Sequence, residues 1–331
     1  MSVPIEASIP DLLRLLAVPV FAWAAWRDVK TRRVPNRTWY PLAALAVALL
    51  AVEGWRAWTG TAFRTRAFAI RTAVSLGFVA PLVVAFWWFR AFGGADAKAF
   101  LVVAALFPTF PTYEVFGWWL PHQRTTLGVF SLTILTNTVL LGALYPLSVL
   151  ARNAAAGRFS RVMAVGKPVP WDAIPDEHGR LLETPEGVTR NGVDLDAVRM
   201  YLRWRGLTLS QLRERADHFQ DPATLPADPN PPGDGATTEP RADGGVVRSR
   251  PTEAAPDDDP WGAAAFLEDI DHDAYGTTPE GLCEGLDVLV REEDVWVSPG
   301  IPFIVPLFFG TVIALIYGDL LFGVLAMLGL A

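Results

Sequence analysis

Two aspartates stand at the mouths of apolar segments, where an ionised side chain is costly. Asp28 follows the apolar stretch 12–26 and opens the run Asp28-Val29-Lys30-Thr31-Arg32-Arg33-Val34-Pro35-Asn36. Asp96 closes Gly93-Gly94-Ala95-Asp96 and precedes another apolar stretch. A carboxylate at the edge of a hydrocarbon layer is by default a functional candidate. Two carboxyls sharing one site do not both ionise, so one is left charged to take a proton and the other protonated to give one. Hydrolysis of a peptide bond by paired acids needs that division. Each residue also has a plain structural reading. Asp96 can be a helix N-cap, and Asp28 a loop charge balanced by its arginine neighbours. Gly93-Gly94 can be a tight turn, and Lys98 either a headgroup contact or an electrostatic neighbour of Asp96.

The elements that must position these residues follow from how charge and hydropathy are segregated. The chain has 331 residues, 51% of them apolar, yet 35 acidic and 28 basic side chains. Of these, 28 acidic and 15 basic residues lie in 151–298, which leaves a basic apolar part and an acidic polar part. The long apolar runs fall in 1–150 and 299–331. A strongly acidic exposed segment argues against nucleic-acid binding, which needs a basic footprint. Cys283 is the single cysteine, so neither an intramolecular disulfide nor a Cys-x-x-Cys knuckle can form. The four histidines (His122, His178, His218, His272) lack ligand spacing, and no metal or cofactor is expected. Glu6 and Asp11 precede the first apolar stretch and basic residues follow it, the reverse of a cleavable secretory signal.

The expected fold is an all-α polytopic membrane protein in the lipid bilayer of the cell. Six transmembrane helices are predicted, at about 9–27, 38–54, 68–89, 97–119, 126–149 and 301–328. A large, partly disordered cytoplasmic insert precedes the last helix. The domains are then a membrane domain at 1–150 with both aspartates, an acidic insert at 151–298, and a last helix in 299–331. Basic residues at 27–37 and 152–167 put those segments in the cytoplasm and both termini outside. Asp28 and Asp96 then share the cytoplasmic face, whereas Glu114 and Asp319 belong near the outer surface. Within the insert, 162–192 has strand-like alternation, 194–204, 209–217 and 261–292 have helical spacing, and 221–260 is polar enough to be disordered.

Three segments also carry a resemblance. An Asp followed by basic residues and Val34-Pro35-Asn36 resembles the first catalytic motif of archaeal type IV prepilin and preflagellin (prearchaellin) peptidases, aspartic membrane proteases of the Gly-x-Gly-Asp type. Gly93-Gly94-Ala95-Asp96-Ala97-Lys98 is similar to their second, Gly-x-Gly-Asp-x-Lys. The run from Val295 to Phe303 looks like the Pro-rich entry to the final helix of archaeal members. The resemblance implies Asp28 and Asp96 as catalytic residues, with Gly93, Gly94, Lys98, Pro35 and Asn36 as motif support. It also implies, as substrates, pilin-like or archaellin precursors that lose a short basic leader, and cleavage without methylation. Ala95 replaces the second glycine of the motif, so the chain before Asp96 must tolerate a side chain there. The rivals are a presenilin- or signal-peptide-peptidase-like intramembrane protease, whose Pro-Ala-Leu motif is missing from this sequence, and a non-enzymatic scaffold or transporter. Oligomeric state is not legible.

Overall fold

The computed structural model describes residues 5–89, 92–237, 259–270, 274–300 and 302–329. Along the chain run α1 (Ile9–Arg14), α2 (Ala17–Thr31), α3 (Tyr40–Trp58), α4 (Ala62–Val74), α5 (Ala80–Trp88), α6 (Gly94–Leu106) and α7 (Phe130–Ala155). Then come α8 (Leu195–Arg205), α9 (Leu209–Glu214), α10 (Ala216–Gln220), α11 (Ala263–Asp269) and α12 (Pro279–Arg291). Helices α13 (Ile304–Ile316) and α14 (Leu320–Met327) close the chain. Short strands form three small sheets: β1 (Ile5–Ala7), β2 (Tyr113–Val115) and β3 (Trp118–Leu120); β4 (Lys167–Pro170), β8 (Asp294–Ser298) and β5 (Arg180–Leu181); and β6 (Glu183–Thr184) with β7 (Gly187–Val188). The all-α expectation is corrected to a mostly helical fold. Two compact units result, Met1–Tyr145 with Ile301–Ala331, and Pro146–Gly300.

The first unit is a helical bundle. Four of the helical stretches, Ile9–Thr31, Asn36–Trp58, Ala62–Trp88 and Phe130–Ala155, are long and apolar enough to cross a membrane, as a polytopic membrane protein requires. Helices α4 and α5 join through a π turn at Ser75–Val79, where buried Ser75 donates its hydroxyl to the Ala104 carbonyl at 2.6 Å. Small residues on α2 (Ala17, Ala24, Ala25) are buried in the core with Phe21, and such residues let helices approach closely. Helix α2 packs on α13, and α6 packs on α3 and α5. Arg14 is 1% exposed and ties three helices together. It pairs with Asp11 at 2.7 Å and Glu53 at 2.5 Å, and its Nε donates to the Leu106 carbonyl at 2.8 Å.

Two predicted spans are corrected. The fourth does not run to 119: α6 has 13 residues and ends at Leu106. Pro108 and Pro111 bring no amide hydrogens to continue it, and the chain turns into the β2–β3 hairpin. Strand β1 joins that hairpin in antiparallel register, Ile5 opposite Val115. The last span is broken at Tyr317-Gly318-Asp319, where Gly318 takes φ +108°. Asp319 is the buried cap of α14, accepting the Phe322 N–H at 3.0 Å. Asn137 repairs the break from both sides, donating to the Gly318 carbonyl at 2.8 Å and accepting the Leu320 N–H at 2.9 Å.

The second unit has its own core. Strand β8 lies between β4 and β5, with Val295 opposite Val169 and Val297 opposite Leu181. Helix α12 buries Leu282, Leu286 and Leu289, an amphipathic spacing. Helices α8, α9 and α10 occupy the predicted helical segments 194–204 and 209–217. The expected disorder over 221–260 lies partly outside the described residues, at 238–258. The described part, 221–237, is packed, with Leu225 6% exposed and the Asn230 N–H bonded to the Trp204 carbonyl at 3.1 Å.

Candidate active site

Helix α2 continues through Asp28 to Thr31, so Asp28 belongs to the last turn of a helix rather than to a loop. It is 8% exposed. Its carboxyl accepts a hydrogen bond from the backbone N–H of Ile304, the first residue of α13. Thus the helix packed against α2 also supplies a peptide donor to its acid.

Asp96 is the third residue of α6, not its N-cap. Gly93 is the cap, and its N–H donates to Asp96 Oδ2 at 3.1 Å. A Cβ on Gly93 would sit 3.1 Å from that same oxygen, so the acid leaves little room for a side chain at 93. Ala95 lies in the first helical turn, outside the left-handed region. That accounts for the replaced glycine: the position is helical, and alanine is the residue a helix favours most.

The two carboxyls, far apart in sequence, interact electrostatically across α2 and α6, and the Arg32 guanidinium lies within electrostatic range of both. Lys98 fastens the other partners. Its Nζ donates to Asn36 Oδ1 at 2.7 Å, tying α6 to the Val34-Pro35-Asn36 turn. In that turn Val34 is buried and Pro35, at φ −60°, caps a short 3-10 helix over Asn36–Thr38. The next residue, Trp39, is buried against Phe21 of α2 with ring centroids 6.3 Å apart. An aromatic cluster is drawn from residues close in sequence to Asp96 and to the Ile304 amide. Phe92 stacks on Phe100 at 5.4 Å, and Phe303 contacts Phe92 at 4.9 Å and Phe100 at 6.0 Å. Such rings keep water sparse and strengthen every electrostatic interaction beside them.

The structure brings the candidates Asp28 and Asp96 together, and places near them Arg32 and the Ile304 amide, which the sequence does not single out. Arg32 has φ +53°, a left-handed conformation costing a non-glycine residue about 1 kcal/mol or more, and nothing in the sequence announces it. Among the described residues, no three His, Cys, Asp or Glu cluster as metal ligands. A cavity of about 300 Å³ in the second unit, lined among others by Trp171, Leu202, Leu207 and Ser210, has Asp172 as its one acidic residue and so offers no carboxyl pair.

Residues 15–147 match the type IV leader peptidase family, and residues 268–320 match the archaeal peptidase A24 C-terminus type II. No curated protein matches the chain. The first match runs from the start of α2 into α7 and includes both aspartates; the second includes α12, β8 and α13. With these two matches in chain order, one holding both acids and the other the helix that hydrogen-bonds Asp28, the chain belongs to the type IV leader peptidase family.

Proposed function

We propose that this chain is an aspartic endopeptidase of the cell membrane that removes the short basic leader from pilin-like or archaellin precursors, with Asp28 and Asp96 as its water-activating pair. The observation that carries the reading is the meeting of two acids from separate helices, each held by a backbone donor. In the reaction, the ionised carboxylate takes a proton from water as its oxygen attacks the scissile carbonyl carbon. The protonated partner donates to the carbonyl oxygen, and collapse of the tetrahedral intermediate passes a proton to the leaving amine. The pair acts as one coupled unit, so its protonation belongs to both residues together.

On the six-span reading of the sequence, the pair lies at the cytoplasmic face and both termini lie outside. A site at that level suits a bond between a cationic cytoplasmic leader and an apolar helix that stays in the bilayer. Cleavage there leaves the apolar segment in the membrane, ready for assembly.

The test is co-expression of a pilin-like precursor with the wild type, Asp28→Asn or Asp96→Asn, followed by the size of the precursor. Loss of leader removal in both variants at normal membrane levels is the expected result. Processing that survives either substitution removes the dyad. A scaffold or transporter would leave processing indifferent to both aspartates.

A further inference from the structure

Two acids brought to one apolar end of a helical bundle need a counter-charge, and the surroundings identify which cation provides it. Arg32 lies within electrostatic range of both Asp28 and Asp96. The other nearby cations are otherwise engaged. Lys98 is bonded to Asn36, Arg27 donates to the Arg33 carbonyl and lies over Trp23, and Lys30 lies over Trp26. Helix α13, packed on α2, has no charged residue, and neither does α5, packed on α6. In α3, Glu53 pairs with Arg14, far along the helix from the Asn36 end that Lys98 holds.

The backbone at Arg32 points the same way. Its N–H closes the last turn of α2 on the Asp28 carbonyl at 2.9 Å, and the residue takes φ +53°, ψ +18°. Glycine is the usual occupant of this left-handed position after a helix. An arginine there works against backbone preference, and an observed outlier of this kind is a reason to look for function. Its Nε is buried and finds no hydrogen-bond partner among the described residues. That nitrogen is therefore not consumed in fixing its own turn.

We propose that Arg32 is a positioning residue of the carboxyl pair, whose guanidinium, set four residues after Asp28 by the left-handed turn, holds the pair in the singly charged form that activates water. Without a cation, an apolar environment favours the fully protonated pair, which has no base. The inference rests on the reading of Asp28 and Asp96 given above.

The test uses the full chain in detergent or liposomes, with a pilin-like precursor carrying a basic leader, and compares wild type, Arg32→Lys, Arg32→Gln and Arg32→Gly. Glycine is at ease in the left-handed turn, so it keeps the helix end while deleting the charge. Since an adjacent opposite charge is worth one pKa unit or more, kcat is expected to fall about tenfold or more in the Gly and Gln variants, with KM changed by about twofold at most. Arg32→Lys, which keeps the charge, is expected to stay within about threefold of wild type on the same electrostatic ground. A Gly variant that works at the wild-type rate overturns the proposal. So does a loss confined to KM, which would make Arg32 a substrate contact, and so does a Lys variant as slow as the Gly one. Processing by Asp28→Asn or Asp96→Asn in the same assay is a separate failure: it removes the dyad, and this inference with it.

Discussion

Replacing Arg14 by methionine tests how the far end of α6 is held. Methionine keeps much of the side-chain length while deleting the charge. The substitution removes two ion pairs and the bond to the Leu106 carbonyl. It leaves Asp11 and Glu53, at 13% and 17% side-chain exposure, without their cation. Breaking one side of a buried ion pair costs about 3–5 kcal/mol, most of it the penalty of the stranded charge. Asp11 keeps two other donors, the Ser8 hydroxyl at 2.8 Å and the Thr112 N–H at 3.4 Å, which places the expectation toward the lower figure, roughly 3 kcal/mol. The assay is thermal unfolding of the full chain in detergent micelles, followed by tryptophan fluorescence. A unit of this size loses about 2–4 °C per kcal/mol, so the midpoint should fall by roughly 6–12 °C. Adding Glu53→Gln to Arg14→Met should return about half of that loss, because one of the two stranded charges is gone. A midpoint within about 2 °C of wild type for the single variant, less than the drop expected from 1 kcal/mol, would refute the reasoning. So would a double variant no more stable than the single.

Three further outcomes are expected. Asn137→Leu leaves the Gly318 carbonyl and the Leu320 N–H unpaired, and should cost about 1–3 kcal/mol, visible as faster proteolysis between α13 and α14; unchanged proteolysis would count against the repair. Ala95→Gly should leave leader removal intact and lower stability by up to about 1 kcal/mol, since the position is helical, whereas Gly93→Val should displace the Asp96 carboxyl and abolish processing at normal membrane levels. In the second unit, burial pushes the Asp194 carboxyl up to about 6. The native state then holds its proton more tightly than the unfolded chain, whose aspartate titrates near ~3.9. Stability from this group is present below pH ~4, falls as pH rises toward 6 and is flat above it. Asp194→Asn, which keeps the α8 cap, should erase that slope in melting curves taken from pH 4 to 7. A slope equal to wild type would exclude Asp194 as its origin.

The legible parts of the molecule were those fixed by local chemistry. Asp28 and Asp96 were visible because charge beside an apolar run is costly, and α8, α9 and α12 because apolar residues recur at helical spacing. Composition stays apolar beyond Leu106 and so does not mark the end of α6; Pro108 and Pro111 do. The break at Gly318 depends on non-local partners, the Gln123 backbone on one side and Asn137 on the other. The pairing of β1 with β2 is equally non-local. Arg32 was read as one basic residue among several, since a left-handed backbone angle is imposed by the turn and not by residue type.

The hydrogen bond from Ile304 to Asp28 has a consequence in time. Asp28 and Asp96 are both made in the first third of the chain, but the amide that completes their setting arrives some two hundred residues later. At roughly 5–20 residues per second, that interval is about 10–40 s. On the proposed reading, a growing chain holds both acids in the membrane throughout synthesis of the second unit yet lacks α13, which secures one of them. A ribosome-bound chain is thus an unfinished one, its Asp28 short of a backbone donor until the start of α13 has been made.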